Sequence, residues 1–378
     1  MGETLTAQKK RSVAIIGTRG YPSYYGGFET AVRRIAPYLA ERDWDVSVYG
    51  RPGGVVLDDP QRDPRVHSLI TKGLESRSLS TLTYGLTSSL SAVRRRPDVA
   101  LVMNVANGFW LPLLRARGIP SVVNVDGIEW ERDKWSSLGK RVFVTGARWT
   151  AKHATGLIFD AHAIGDRWRK DFGVDGDFIP YGGDERDELP LEQGLEHRKY
   201  VLLVARFVPE NTVGEFLGAA EELGKRHDVV IVGSSGYGGE LDERAEALAS
   251  RVERVRWLGH LKDDDRLHAL WQHAGAYFHG HSVGGTNPAL VQAMALGAPV
   301  VARGTVYNRE VLGATAGEFA EPNPRSIIDT VESVLADPAR QEQMSQAARE
   351  RFASTYTWES VCAAYERSLL AALETRRR

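Results

Sequence analysis

The densest chemistry in the chain lies between His279 and Val300, in the run HGHSVGGTNPALVQAMALGAPV. It reads as strand, glycine loop, helix, glycine stop and strand. Asn287 or Thr286 suits the N-cap, Pro288 the first turn, and Gly297 with Pro299 the stop. Gly284 and Gly285 stand immediately before the helix, and without Cβ atoms they let backbone N–H groups approach a ligand. The helix start adds unsatisfied N–H groups and about half a positive charge. Together these suit a diphosphate. The competing reading is a tight turn that needs glycine only for its backbone. His279, His281 and the cap so close to the glycines favour a ligand.

A second loop, GTRGYPSYYGGFE (17–29), follows the first apolar run and places Gly26 and Gly27 before another helix. Its spacing is not G-x-G-x-x-G. The second strand ends Tyr49-Gly50-Arg51, without the acidic residue that holds an NAD ribose. This counts against a nicotinamide enzyme, although Arg51 leaves NADP conceivable. Asp263, Asp264 and Asp265 precede a helical pattern and read as an N-cap rather than a metal motif. Cys362 is the only cysteine, which excludes an intramolecular disulfide and a cysteine-based zinc site and fits a reducing cytoplasm.

These loops need elements to hold them. Short runs rich in Val and Ile recur at 13–17, 46–49, 66–70, 99–103, 122–125 and 157–159, alternating with helical patterns at 30–42, 80–95 and 142–153. The pattern restarts with strands at 200–205, 229–232, 255–258, 276–279 and 300–302, and helices at 215–223, 240–251, 264–273 and 288–296. Apolar strands alternating with helices predict parallel sheets covered on both faces. At 378 residues, and about 100–200 per domain, two domains are expected. The Gly-, Pro- and charge-rich segment 180–196 has a linker composition. Two doubly wound domains so joined would face each other across a cleft at the carboxyl ends of their sheets. A net charge of -1 offers no basic field for nucleic acid. No apolar run approaches the roughly 20 residues of a membrane span, so a soluble or peripherally attached protein is expected. Residues 1–11 and Arg376, Arg377 and Arg378 are expected to fray.

The motifs GTRGYPSYYGGFET (17–30), NVDGIEWERDKW (124–135), FDAHAIGDRW (159–168), ARFVPEN (205–211) and HGHSVGGTNPALVQAMA (279–295), with Tyr356-Thr-Trp358 before a last helix, resemble the GT-B glycosyltransferases of retaining family 4. Within that family they look like the subgroup with a rhamnosyltransferase-type N-terminal domain. The resemblance spans nearly the whole chain. It implies an α/β GT-B fold of two Rossmann-like doubly wound domains. Residues 1–184 would bind acceptor, 185–355 would bind nucleotide sugar, and a helix at 356–378 would cross back to the first domain. Arg206 matches the arginine that neutralises the donor diphosphate, while the usual lysine five residues later is Asn211. The family's two glutamates fall at Gly284 and Gln292, so one carboxylate is replaced by the GGTNP loop and the ribose acceptor becomes an amide.

The donor would be bound by Gly26, Gly27, Arg206, Asn211, Gly284, Gly285, Thr286, Asn287, Gln292, Asn308 and Glu310. For Asn308 and Glu310 the alternative is a cap of a helix from Arg309. Asp126 stands where many relatives carry a histidine near the sugar. Asp126 or Glu129 could bind or deprotonate the acceptor hydroxyl, or could merely cap and pair. His281 could hydrogen-bond the donor sugar or stabilise the transition state. Tyr25, Phe28, Trp130 and Arg132 would contact the acceptor.

The implied reaction is retaining transfer by front-side attack, resting on leaving-group stabilisation and positioning, with no metal and no cofactor beyond the nucleotide diphosphate sugar substrate. The favoured donor is dTDP-L-rhamnose, and the acceptor a saccharide or lipid-linked saccharide of the cell envelope. The apolar side chains of 80–96 with Arg94, Arg95 and Arg96, and Arg148, Trp149 and Lys152 further on, offer a basic amphipathic surface for the cytoplasmic membrane face. Ordinary helices packed on a sheet are the alternative. A catalytically silent nucleotide-sugar-binding protein and a sugar-nucleotide epimerase are the competing functions.

Overall fold

The computed structural model describes residues 10–24, 26–75, 80–132 and 135–377, which form two units. Unit 1 comprises Met1–Pro180 with Glu359–Arg378, and unit 2 comprises Tyr181–Trp358. The expected fraying of residues 1–9, and of Arg378, lies outside the described residues. Arg11 instead opens the first strand, because its backbone pairs in register with Trp44. The last helix likewise runs to Arg377.

In unit 1 the strands are β1 (Arg11–Ile16), β2 (Trp44–Gly50), β3 (His67–Ile70), β4 (Val99–Met103), β5 (Ser121–Asn124), β6 (Gly156–Phe159) and β7 (Asp177–Phe178). Between them lie α1 (Gly27–Glu41), α2 (Ser80–Arg95), α3 (Leu111–Ala116), α4 (Ser137–His153) and α5 (His162–Phe172). Unit 2 carries β8 (Tyr200–Val204), β9 (Asp228–Val232), β10 (Val255–Trp257), β11 (Ala276–His279), β12 (Val300–Arg303) and β13 (Gly317–Ala320). Its helices are α6 (Val213–Leu223), α7 (Glu240–Arg251), α8 (Asp264–His273), α9 (Pro288–Ala295), α10 (Val306–Leu312), α11 (Pro324–Leu335) and α12 (Pro338–Thr355).

The sheet orders are β3-β2-β1-β4-β5-β6-β7 and β10-β9-β8-β11-β12-β13, with every pairing parallel. Both are doubly wound Rossmann-like sheets, each reversing order beside its first strand. The central strands read as unbroken apolar runs because helices cover both faces. In unit 2, Tyr200, Leu202 and Tyr277 pack with α8, α9 and α12, while Val201, Leu203 and Phe278 pack with α6 and α11. Among the described residues no helix is long and apolar enough to cross a membrane.

The final helix, α13 (Trp358–Arg377), buries Val361, Cys362, Tyr365, Leu369 and Ala372 as part of unit 1. Trp44 donates its indole N–H to Glu366 Oε1 at 2.9 Å, and Asn124 donates to the Tyr365 hydroxyl at 2.6 Å. Burial pushes the Cys362 thiol up to about 12.

Candidate functional site

In unit 2 the strand order reverses between β8 and β11. Open parallel sheets take ligands outside the carboxyl ends of the strands at such a switch point. The loops leaving there are residues 205–212 and 280–287. A Cβ on Gly280 would meet the Asn211 carbonyl oxygen at 2.3 Å, so glycine is what lets the two loops touch. Thr212 Oγ1 donates to the Gly280 carbonyl at 2.6 Å. Ser282 donates to the Glu210 carbonyl from its amide at 2.9 Å and its hydroxyl at 2.8 Å. Thr212 itself is left-handed, at φ 55.

The second loop then turns at Gly284, whose φ of +84 lies in the region that favours glycine. Gly285 and Thr286 are buried. Asn287 caps α9, its Oδ1 accepting the Ala289 amide at 2.9 Å. Of the two cap candidates, Asn287 is therefore the cap, and Pro288 takes the first helical turn. Asp263 caps α8 in the same way, accepting the Arg266 amide at 3.1 Å.

Several predicted donor-binding side chains build this loop from within. Asn211 is buried; its Nδ2 donates to the Arg206 carbonyl at 2.8 Å, and its Oδ1 lies 2.7 Å from His281 Nδ1. An amide oxygen only accepts, so His281 Nδ1 carries a proton in this contact. Asn308 is buried and donates to the carbonyls of His281 and Arg303, both at 2.9 Å. It lies inside α10, whose cap is Thr305, accepting the Asn308 amide at 3.1 Å; this corrects the alternative of a cap starting at Arg309. Glu310 follows on α10 and is half-buried, with its carbonyl accepting from Arg351 at 2.6 Å.

Gln292 uses its side-chain amide on the backbone of residue 184. Its Nε2 donates to the Asp184 carbonyl at 2.8 Å while its Oε1 accepts the Asp184 amide at 3.0 Å. The amide group thus staples residue 184 to α9. Arg206, by contrast, is exposed, and no carboxylate among the described residues pairs with its guanidinium.

Two further groups stand here: His279, which the sequence marked only as favouring a ligand, and Arg303, which it did not mark. His279 ends β11 at 4% exposure, with Nδ1 3.0 Å from the Tyr277 hydroxyl and no partner for Nε2 among the described residues. Burial, then the neighbouring His281, lower its pKa to about 3, so the ring is neutral. Arg303 ends β12 and donates from Nη1 to Thr212 Oγ1 at 3.1 Å. Both occupy the final position of a strand beside the switch point, a positional signal that motif spacing does not contain.

In unit 1, Gly17 (φ +95) follows β1; a Cβ there would meet the Met103 carbonyl oxygen at 2.2 Å. Gly26 sits at the N-cap of α1 in extended backbone that any residue adopts, and Gly27 opens the helix. Glu29 is buried and accepts the Arg19 amide at 2.9 Å. Phe28 is half-buried in the first turn, and Tyr25 lies outside the described residues.

Beyond β5, Asp126 is held at φ +59 by Asn124 Oδ1, which accepts its amide at 2.9 Å. Because Asn124 also donates to Tyr365, α13 sets the backbone at Asp126. Glu129 takes up the pairing alternative. It is buried, its Oε1 pairs with Arg132 Nε at 2.7 Å, and its Oε2 accepts the Trp135 indole N–H at 2.9 Å. Both oxygens and the Arg132 guanidinium are therefore engaged in pinning one turn. Trp130 packs edge-on against Trp168 and Phe172, at ring separations of 6.2 and 5.9 Å.

Two Rossmann-like domains, the second with a glycine loop entering a capped helix at its switch point, match the class of GT-B glycosyltransferases. The family model "Glycosyl transferases group 1" matches residues 185–351, and the "Glycosyl transferase 4-like domain" matches residues 26–182. The chain is a glycosyltransferase of this GT-B, family-4-like kind, the two models together spanning most of its length. It is 29% identical over 330 residues to glycogen synthase of Mycobacterium tuberculosis, covering 81% of this chain and 74% of that one. Sucrose-phosphate synthase from Thermosynechococcus elongatus shares the fold at TM-score 0.78 and 18% identity, covering 96% of this chain and 100% of that one. HepE from Anabaena in complex with UDP shares it at TM-score 0.71 and 15% identity, over 96% and 100% of the two chains.

Proposed function

We propose that the chain is a retaining, metal-independent transferase that moves a sugar, with L-rhamnose from dTDP-L-rhamnose favoured, to a saccharide or lipid-linked saccharide acceptor. The observation that carries the donor half is the exposed Arg206 guanidinium with no carboxylate partner among the described residues, on the loop that Asn211 ties to His281 ahead of Gly284 and the capped start of α9. These groups receive a diphosphate and stabilise it as it leaves. The C1–O bond to the β-phosphate breaks as the acceptor oxygen bonds C1 on the same face, and the hydroxyl proton passes to the departing phosphate oxygen. No protein base is needed on that route, which accords with Glu129 being paired to Arg132 and Trp135. HepE was crystallised with UDP and with UDP-glucose, which supports a nucleoside diphosphate here.

The rhamnosyl preference rests on the sequence motifs of the two loops. Arg148, Trp149 and Arg95 are exposed on α4 and α2 and support peripheral attachment at the cytoplasmic membrane face. The test is nucleotide release from dTDP-L-rhamnose, UDP-glucose and other nucleotide sugars, with and without lipid-linked acceptor and with EDTA. Acceptor-dependent release that survives EDTA is expected. Binding without turnover favours the silent reading, and acceptor-free isomerisation the epimerase.

A further inference from the structure

We propose that Arg303 is a second cationic clamp on the donor diphosphate, a reading that rests on the donor site proposed above. Arg303 is half-buried at the carboxyl end of β12, one strand from β11. Among the described residues its guanidinium makes one hydrogen bond, to the neutral Thr212 hydroxyl at 3.1 Å. No carboxylate pairs with it among the described residues, although arginines elsewhere in the unit, such as Arg266 with Glu192, do find one. A partly desolvated guanidinium with spare N–H donors and no counter-charge is costly unless an anion completes it.

The surrounding bonds place it at the donor loop. Thr212, which it holds, also bonds Gly280, and Asn308 joins the Arg303 carbonyl to that of His281. Asn211, the neighbour of Thr212, is neutral and already committed to Arg206 and His281. The forked donors of Arg303 therefore supply positive charge that position 211 does not, and suit phosphate oxygens. A purely structural role would be satisfied by the Thr212 contact alone.

The test measures binding of UDP, dTDP and the nucleosides uridine and thymidine to the full chain at low and high salt. For Arg303→Gln the diphosphates should weaken by about tenfold or more, as for a lost charge-assisted bond, while the nucleosides stay within about twofold. Arg303→Lys should recover part of the loss, and the salt dependence of UDP binding should flatten in Arg303→Gln. In the wild-type protein, UDP should protect Arg303 from phenylglyoxal, read by mass spectrometry, which decides the matter even if Arg303→Gln does not fold. Unchanged UDP binding, equal weakening of nucleoside and diphosphate, or full modification of Arg303 under saturating UDP overturns the proposal. Failure of the wild type to bind either diphosphate overturns the donor site itself and this inference with it.

Discussion

At the scale of single residues, the polar side chains of the donor loop divide into those that build it and those left to meet a ligand. Gln292 is a builder, since its amide both gives to and takes from the Asp184 backbone. Gln292→Glu removes the donor and sets a carboxylate against a carbonyl. It should cost about 1–3 kcal/mol in urea unfolding, instead of improving donor affinity as the family pattern alone would suggest. Gly284 is held at φ +84, where a Cβ costs about 1–2 kcal/mol. Gly284→Ala should therefore lower UDP affinity through the loop while far-UV circular dichroism stays unchanged. His279 is neutral in the fold with a pKa of about 3 against an ordinary 6.5. Between those values the unfolded chain binds one proton more than the native one. The stability contributed is complete above about pH 6.5 and falls by about 1.4 kcal/mol per unit as pH drops toward 3. Urea midpoints across that range check the slope, and His279→Gln should make it shallower.

At the scale of elements, the start of α9 and the docking of α13 do different work. Asn287 caps α9 beside the donor loop, while Asn323 caps α11 by accepting the Ser326 amide at 2.9 Å. Asn287→Ala and Asn323→Ala should each cost about 1 kcal/mol of stability. Only the first should weaken UDP binding in calorimetry; equal effects would remove α9 from the donor site. Through Tyr365 and Asn124, α13 reaches the backbone at Asp126. Tyr365→Phe should leave UDP affinity unchanged and lower turnover with acceptor if Asp126 serves the acceptor side.

At the scale of the whole molecule, one helix contributed by the far end of the chain completes unit 1. Its Cys362 is buried with its thiol pKa pushed up to about 12, so little thiolate exists at neutral pH. Ellman's reagent should label it only as the helix detaches, with a rate that tracks unfolding. Rapid labelling of the native protein would show that α13 is loosely held.

The alternation of apolar runs with helical patterns, and the glycines beside Asn287, were legible because strand burial and helix capping are local consequences of side-chain type. Short elements were harder to read. β7 has two residues and β13 opens on a glycine, so neither offers the apolar run that marks the central strands. What the site residues do with their polar atoms was decided only by tertiary structure. The partner of Gln292 lies 108 residues away and that of His281 lies 70 away. Glu129, Arg132 and Trp135 are close in sequence, yet a single turn had to form before their charges and indole could meet. Composition and spacing determined that two parallel sheets would form and that a glycine loop would lead into a capped helix at Pro288. Long-range packing decided which side chains are spent on the loop and which remain for the ligand, because a hydrogen bond depends on distances that only the folded chain creates.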